Sequence, residues 1–297
     1  MKALPDSDFR SRRLVLEPED FALRPEEPDS PPSDLVDEET WRSMTSLQDD
    51  VSVRTSNQCG SALKELWRFC SEWSCVVGAL QELAASVEES PLCAVACDAS
   101  DEFQASISNA LVGFYRVAFS CLRNALENMS IGLELELSSD SVRFNSWQSG
   151  DIELSLGWAA DVLPSHSVVS SIENHCKKVC ADNFFRRKSP ADNGGVVRRL
   201  FRKLSKFTHG TPSFTDADMR NSNGPIFVPE SFQSWRSLFE TTYALVLFEA
   251  KLGQPKLDTL AYESDLSARS LFQQVTDGLP SSEDGAVVVK SLPASFW

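Results

Sequence analysis

This chain has few histidines and no long apolar run, and both shortages exclude classes of function. Its three histidines are His166, His175 and His209, so any mechanism that needs an imidazole must use one of these positions. No stretch approaches the roughly 18–20 consecutive apolar residues of a spanning helix. Residues 1–20 also lack the apolar core of a secretory signal. We therefore expect a cytoplasmic protein without membrane contact.

The usual sequence signatures of cofactor chemistry are missing too. The chain has no GxxxxGK[ST] loop, no GxGxxG turn and no HExxH pair, which argues against nucleotide hydrolysis, dinucleotide binding and zinc proteolysis. Cys176 and Cys180 lie beside His175 at a spacing that zinc accepts, but helical spacing also puts both thiols on an apolar face. We expect neither a metal nor another cofactor, and eight cysteines that stay reduced.

The composition predicts a globular core with polar ends. With 297 residues, of which 42% are hydrophobic, the chain can bury a sizeable core. Prolines and acidic residues dominate residues 1–57, which we expect to form a disordered acidic arm. Residues 58–252 are predicted to form one domain, and residues 253–297 a tail with a short strand near 287–289.

The spacing of apolar residues predicts a mainly α-helical bundle of about four or five helices. Steps of three and four predict helices over residues 61–87, 101–133, 165–187, 195–209 and 229–251. Leucines alternate with polar residues over 133–137 and again over 152–156, which predicts a small irregular or β-hairpin insertion.

The charge of the chain is unevenly distributed. The net charge of −15 argues against a general nucleic-acid coat. Residues 176–209, however, hold ten basic and two acidic residues, a local charge of +8 that attracts a phosphate backbone. The ten basic residues are Lys177, Lys178, Arg186, Arg187, Lys188, Arg198, Arg199, Arg202, Lys203 and Lys206. We predict that this segment contacts RNA.

Four phenylalanines interleave with these cations, at Phe184, Phe185, Phe201 and Phe207. Aromatic faces beside cations stack unpaired bases, which is one interpretation of the pattern. The other is that the phenylalanines form a buried stripe and the cations a solvated face.

The end of the helix predicted over 195–209 resembles a known superfamily. Arg202, six intervening residues and His209 match the Rx4–6H motif of HEPN domains, and LSKFTHG looks like the LSKYVHG-type helix end of several bacterial HEPN-like proteins. The resemblance implies a compact helical bundle that forms homodimers or joins a partner subunit. It further implies a metal-independent RNase of a toxin or phage-defence system, with Arg202 and His209 as the catalytic pair.

The chemistry of that pair is plausible on physical grounds. A helix places residues seven apart within roughly 20° of the same face. Imidazole transfers protons near neutral pH, and a guanidinium stabilises the charge that develops on a phosphorane. One imidazole cannot hold both proton roles at once, and a homodimer would supply a second His209. The alternative is that His209 only interacts with the dipole at the helix C-terminus.

A polar stripe on the helix predicted over 101–133 adds supporting residues. Arg116, Arg123 and Glu127 follow steps that align them along one side of that helix. We predict that they border the same groove, with Glu127 orienting an arginine through an ion pair. The alternative is a half-buried ion pair that holds two helices in register.

One residue departs from the pattern of active HEPN-like enzymes. Those enzymes often carry Asn, Asp or His directly after the arginine, where this chain has Lys203. The alternative function is therefore a catalytically inactive helical module that binds nucleic acid, a nucleotide or a partner protein.

Overall fold

The computed structural model describes residues 38–84, 86, 89–180, 183–186, 194–208 and 224–257, without the side chains of residues 38, 172 and 175–180. The predicted arm up to residue 37, the strand predicted at 287–289 and His209 lie outside it. The chain divides into two units, Met1–Ser46 and Leu47–Trp297, and residues 38–46 are the described part of the first.

The described residues contain eight α-helices and no strand. They are α1 (Glu38–Leu83), α2 (Pro91–Leu111), α3 (Tyr115–Ser138), α4 (Ser141–Gln148), α5 (Leu156–Val162), α6 (Ser167–Cys180), α7 (Val196–Thr208) and α8 (Pro229–Gly253), with a 3₁₀ turn at Leu163–Ser165. The predicted mainly α-helical bundle is confirmed. Among these helices, none is both long enough and apolar enough to cross a membrane.

Helix α1 begins inside the segment predicted to be disordered. The prediction is wrong over residues 38–57, which are helical. The reason is a stripe of buried residues, Val51, Thr55 and Cys59, at steps of four among polar neighbours. The composition of this segment does not show the stripe, because acidic and polar residues separate the buried positions in the sequence. The helix is kinked at Cys59, where φ is −126° and ψ is 15°.

The single helix predicted over residues 101–133 is wrong, because the chain turns back at Gly113 and forms α2 and α3. Gly113 has φ 83°, a conformation that favours glycine. A Cβ atom at this position would also lie 2.4 Å from the carbonyl oxygen of Ile226. The turn therefore needs a residue without a side chain, and α3 packs back along α2.

The alternating leucines do not form a hairpin. Residues 133–137 continue α3, and Leu133 and Leu135 are both buried there. Residues 149–155 form an irregular connection that ends at the N-cap Ser155 of α5. Of the two predicted forms of the insertion, irregular or β-hairpin, the structure shows the irregular one. A helix buried on several sides mimics strand alternation over so few residues.

Helix α8 runs through the core of the second unit, and the residues from 241 to 250 are all buried. Its Tyr243 stacks on Phe69 of α1 with ring centroids 5.1 Å apart. Its Trp235 donates a hydrogen bond from Nε1 to the Ser106 hydroxyl of α2 at 3.0 Å. Helix α3 lies against α2 and α8 and also contacts α7. The predictions of α7 and α8 are confirmed.

Candidate nucleic-acid interface

Helix α7 has a buried apolar face and an exposed basic face. Val197, Leu200 and Leu204 are buried against the core. Arg202, Lys203 and Lys206 are exposed, and steps of one and three place them on one side of the helix. We call these three residues the α7 basic face. Helix α7 contains no acidic residue, so its exposed side is cationic throughout.

The C-terminal half of α7 is held by the polar stripe of α3. Arg116 donates a hydrogen bond from Nε to the carbonyl oxygen of Phe207 at 3.2 Å. This contact satisfies one of the last carbonyls of α7, which have no partner within the helix. The ring of Phe207 also stacks on Phe119 of α3, with centroids 4.1 Å apart.

Arg123 makes the central contact between α3 and α7. Its Nε donates to the hydroxyl of Ser205 at 3.2 Å, and its guanidinium lies 4.7 Å from the ring centroid of Phe201. Its Nη2 is 3.1 Å from Oε2 of Glu127, one turn further along α3. The predicted ion pair thus forms. Both members belong to α3 and are largely buried, with 23% of the Arg123 and 18% of the Glu127 side chain exposed.

Glu127 connects the stripe to a third helix. Its Oε1 accepts a hydrogen bond from the backbone N–H of Leu156, at the start of α5, at 3.2 Å. A carboxylate at a helix N-terminus is favourable both as an acceptor and through the dipole. The structure therefore brings Arg116 and Arg123 to α7 and Glu127 to α5, and each of them engages groups that position helices.

Arg198 occupies a different environment from the α7 basic face. It is 6% exposed, and its guanidinium donates to the carbonyl oxygens of Phe185 at 3.3 Å and Gly157 at 2.9 Å. It also donates to a carboxylate oxygen of Asp161 at 2.5 Å. Its Nε and Nη2 are thus engaged at the junction of α7 with α5, and its contact with RNA stays a prediction.

The neighbouring cations are also partly engaged. Arg199 is half-buried and donates from Nη1 to the carbonyl oxygen of Gly194 at 3.0 Å. Arg186 is exposed, but its Nη2 donates to the carbonyl oxygen of Pro164 at 2.7 Å and lies 3.5 Å from the Ser170 hydroxyl. Arg187, Lys188 and the side chains of Lys177 and Lys178 lie outside the described residues.

The segment before α7 is organised by a buried carboxylate that the sequence analysis missed. Glu173 of α6 is 2% exposed and accepts three backbone N–H groups. The donors are Phe184 at 3.0 Å, Phe185 at 2.5 Å and Arg186 at 3.0 Å. A signal was present in the sequence, because Glu173 follows the buried Val169 by one helical turn and so lies on the apolar side of α6.

The same segment buries two of the phenylalanines. Phe184 and Phe185 are 1% and 0% exposed, so their rings are not available for base stacking. Gly195 lets α7 approach them, since a Cβ atom there would lie 2.1 Å from the Phe184 carbonyl oxygen. For these two rings the interpretation as a buried stripe is confirmed. Phe201 and Phe207 are half-buried and contact α3.

The histidines do not meet at the α7 basic face within the described residues. His166, just before α6, places Nε2 2.8 Å from Oε2 of Glu134 in α3. Burial raises the pKa of the Glu134 carboxyl, and His166 opposes part of that rise. The pair joins α3 to the start of α6. The side chain of His175 and all of His209 lie outside the described part, so the pairing of Arg202 with His209 stays a prediction.

Comparisons with models of protein families, with curated proteins and with solved structures find no match for this chain. In the described part, no three His, Cys, Asp or Glu side chains lie close enough together to hold a metal ion. The α7 basic face and the contacts that anchor it are the features of the described part that bear on function.

Proposed function

We propose that this protein is an RNA-directed helical bundle of HEPN-like type, and that the α7 basic face contacts the phosphate backbone of the RNA. The observation that carries the proposal is the exposure of Arg202, Lys203 and Lys206 on a helix without acidic residues, in a chain of net charge −15. Such segregation creates a local positive potential that attracts phosphates although the whole molecule is acidic.

The anchoring of α7 supports this function. A phosphate-binding surface gains affinity when its cations start from a fixed position, because less conformational freedom is lost on binding. Arg123 and Arg116 of α3 hold the C-terminal half of α7, and Arg198 holds the N-terminal half of α7 against α5. Buried and half-buried arginines thus position a helix whose exposed cations face solvent.

In the enzymatic version of this proposal, the protein cleaves the RNA that it binds. Arg202 is exposed in the middle of α7, and His209 follows the last residue of that helix in the chain. In this mechanism His209 takes the proton from a ribose 2′-hydroxyl, and Arg202 stabilises the charge of the phosphorane. A homodimer supplies the second His209 that protonates the leaving oxygen. The biological context is a cytoplasmic toxin or phage-defence system of bacteria.

A catalytically inactive binding module is the second candidate. It is favoured by Lys203, which is exposed beside Arg202 where active HEPN-like enzymes often carry a smaller polar residue or His. It is also favoured by Arg116 and Arg123, whose described contacts hold helices together. The module would bind RNA through the same α7 basic face without cutting it.

Binding is tested by fluorescence anisotropy with a labelled single-stranded RNA. The double variant Lys203→Gln/Lys206→Gln should bind more weakly and lower the slope of log affinity against log salt by about 1.4, from about 0.7 per phosphate contact. The control Arg54→Gln/Lys256→Gln changes two exposed cations elsewhere and has the same net charge. Equal losses in both variants, or no binding by the parent chain, would refute the α7 basic face.

Cleavage is tested in the same RNA with a chelator present. If the enzyme proposal is correct, the parent chain cuts the RNA and His209→Ala reduces the rate by about 100-fold or more while leaving binding intact. Binding without cleavage by the parent chain selects the inactive module.

A further inference from the structure

Trp67 on α1 is unusually exposed for a tryptophan. The apolar spacing of residues 61–87 counts it among core residues, but 52% of it is accessible, whereas the adjacent Leu66 is fully buried. Tryptophan in soluble proteins is mostly buried, so a rigid helix that holds one in water marks a surface for interaction.

Shallow depressions lie on both sides of Trp67. One, of about 350 Å³, is bounded by Trp67, Leu63 and the last two turns of α2, with Ile107 and Leu111. The other, of about 580 Å³, runs along α1 itself and is lined by Trp67, with hydroxyl and cationic side chains. A flat aromatic ring between two open depressions leaves room for a second planar group to lie against it.

Two cations, Lys64 and Arg68, and one acid, Glu65, line the depressions beside Trp67. Lys64 lines both depressions and is exposed, and the described ion pairs do not include it. Arg68 lines the larger depression and is 3.9 Å from Glu72, a long contact that stabilises little at the surface. The acidic residue at the site, Glu65, is 2.8 Å from Arg236, a guanidinium that it shares with Glu240 at 2.7 Å.

The surface around Trp67 and the C-terminal end of α7 both lie near the turn that joins α2 to α3. Ile107 and Leu111 belong to the last turns of α2, and the chain then turns at Gly113 into α3. Arg116, in the first turn of α3, contacts the carbonyl of Phe207 at the C-terminal end of α7.

We propose that Trp67 stacks an unpaired base of single-stranded RNA while Lys64 contacts the adjacent phosphate. The inference rests on the proposed function, since it gives the RNA held by the α7 basic face a second contact across the end of the bundle. Base stacking on an exposed aromatic ring tolerates any sequence and needs an unpaired base. The serine hydroxyls of Ser61 and Ser71, beside the cations, suit sugar and phosphate oxygens and favour RNA over an apolar protein segment.

The test compares variants at Trp67 with single-stranded RNAs of about six and about twenty nucleotides. Trp67→Leu should weaken binding of the longer RNA by about 5- to 100-fold, and Trp67→Phe should retain most of the affinity because it keeps an aromatic face. The shorter RNA, held by the α7 basic face alone, should lose little. Double-stranded RNA should show no effect of Trp67→Leu, because its bases are not available for stacking.

Lys64→Gln provides an independent measurement. It should lower the salt slope for the longer RNA by about 0.7, whereas Lys256→Gln, at another exposed lysine, should not. Unchanged affinity of Trp67→Leu, together with a loss in Lys203→Gln/Lys206→Gln, would overturn the Trp67 site and leave the proposed function standing. Absence of RNA binding by the parent chain would overturn both. Thermal unfolding confirms that each variant is folded.

Discussion

The guanidinium of Arg198 donates a hydrogen bond to the carboxylate of Asp161, which ties the first turn of α7 to α5. In the sequence Arg198 is one cation among ten and cannot be told apart from Arg202, which follows it by one helical turn. In the structure Arg198 is 6% exposed, whereas Arg202 is exposed. Two arginines of one basic helix therefore have separate tasks, one in holding the helix and one at its surface.

That difference predicts opposite effects of substitution. Arg198→Met should lower the free energy of unfolding by about 1–3 kcal/mol, because the carbonyl oxygens of Phe185 and Gly157 lose their donor. Lys203→Gln should change it by no more than about 0.5 kcal/mol, since Lys203 is exposed. Urea denaturation measures both. RNA binding should show the reverse order, with the larger loss in Lys203→Gln. Equal stability of Arg198→Met and the parent chain would contradict the anchoring role.

Glu173 should be even more sensitive, because one carboxylate serves three backbone donors. Glu173→Gln replaces one acceptor oxygen by an NH₂ group, so either Phe184, which donates to Oε2, or Phe185 and Arg186, which donate to Oε1, lose their acceptor. We expect a loss of about 2–4 kcal/mol in the free energy of unfolding, since hydrogen bonds to charged groups are worth about 1.5–3 kcal/mol each. Glu82→Gln, at an exposed glutamate of α1, is the matched control and should be neutral. A small loss in Glu173→Gln, similar to that of the control, would argue against this role.

Sequence reasoning succeeded where the signal is local. The apolar steps of Val197, Leu200 and Leu204 define α7, because each helical turn repeats the same contrast between buried and exposed sides. It failed at Gly113, where the apolar spacing continues through Phe114 and Tyr115 and predicts one long helix. The turn there depends on Ile226, more than a hundred residues later, and no periodicity within α2 and α3 contains that contact.

In the candidate site, too, sequence reasoning predicted the local features and not the tertiary contacts. The spacing of Arg116, Arg123 and Glu127 correctly predicts one face of a helix and an ion pair on it. The spacing does not predict which helix this face packs against. The tertiary contacts with Phe207 and Ser205 of α7 determine that. Local patterns thus specify which residues share a side, and long-range contacts specify which of them reach solvent.

Arg123→Met tests whether the α3 stripe is structural. Methionine keeps much of the length of the side chain but removes the ion pair with Glu127, the donor to Ser205 and the cation–π contact with Phe201. Half-buried contacts of these kinds contribute about 0.5–1 kcal/mol each, so we expect the loss of all three to lower the free energy of unfolding by about 1.5–3 kcal/mol in urea denaturation. RNA affinity should change less than it does in Lys203→Gln. A larger loss of RNA affinity than of stability would instead place Arg123 in the RNA contact.

Glu249 lies in the centre of the core with one carboxyl oxygen hydrogen-bonded. It is 0% exposed, and its Oε1 accepts from the hydroxyl of Ser130 at 2.8 Å. Its Oε2 has no hydrogen-bond partner among the described residues. Burial raises the pKa of Glu249 from its usual 4.5 to about 8, and the Ser130 hydrogen bond only partly opposes this. A protonated carboxyl in an apolar core costs much less free energy than a carboxylate.

The raised pKa of Glu249 predicts a loss of stability as pH rises. Between its unfolded value of 4.5 and its folded value of about 8, the folded chain holds a proton that the unfolded chain releases. The free energy of unfolding should therefore fall across this window, by up to about 1.4 kcal/mol per pH unit from this residue. Glu249→Gln removes the titration while keeping the size of the side chain, so the variant should gain stability relative to the parent chain from about pH 5 to about pH 8. Urea denaturation across this range measures the difference, and Glu82→Gln should run parallel to the parent chain, because Glu82 is exposed. If Glu249→Gln also ran parallel, the carboxyl would have to be ionised within the fold, and the core around it would have to admit water.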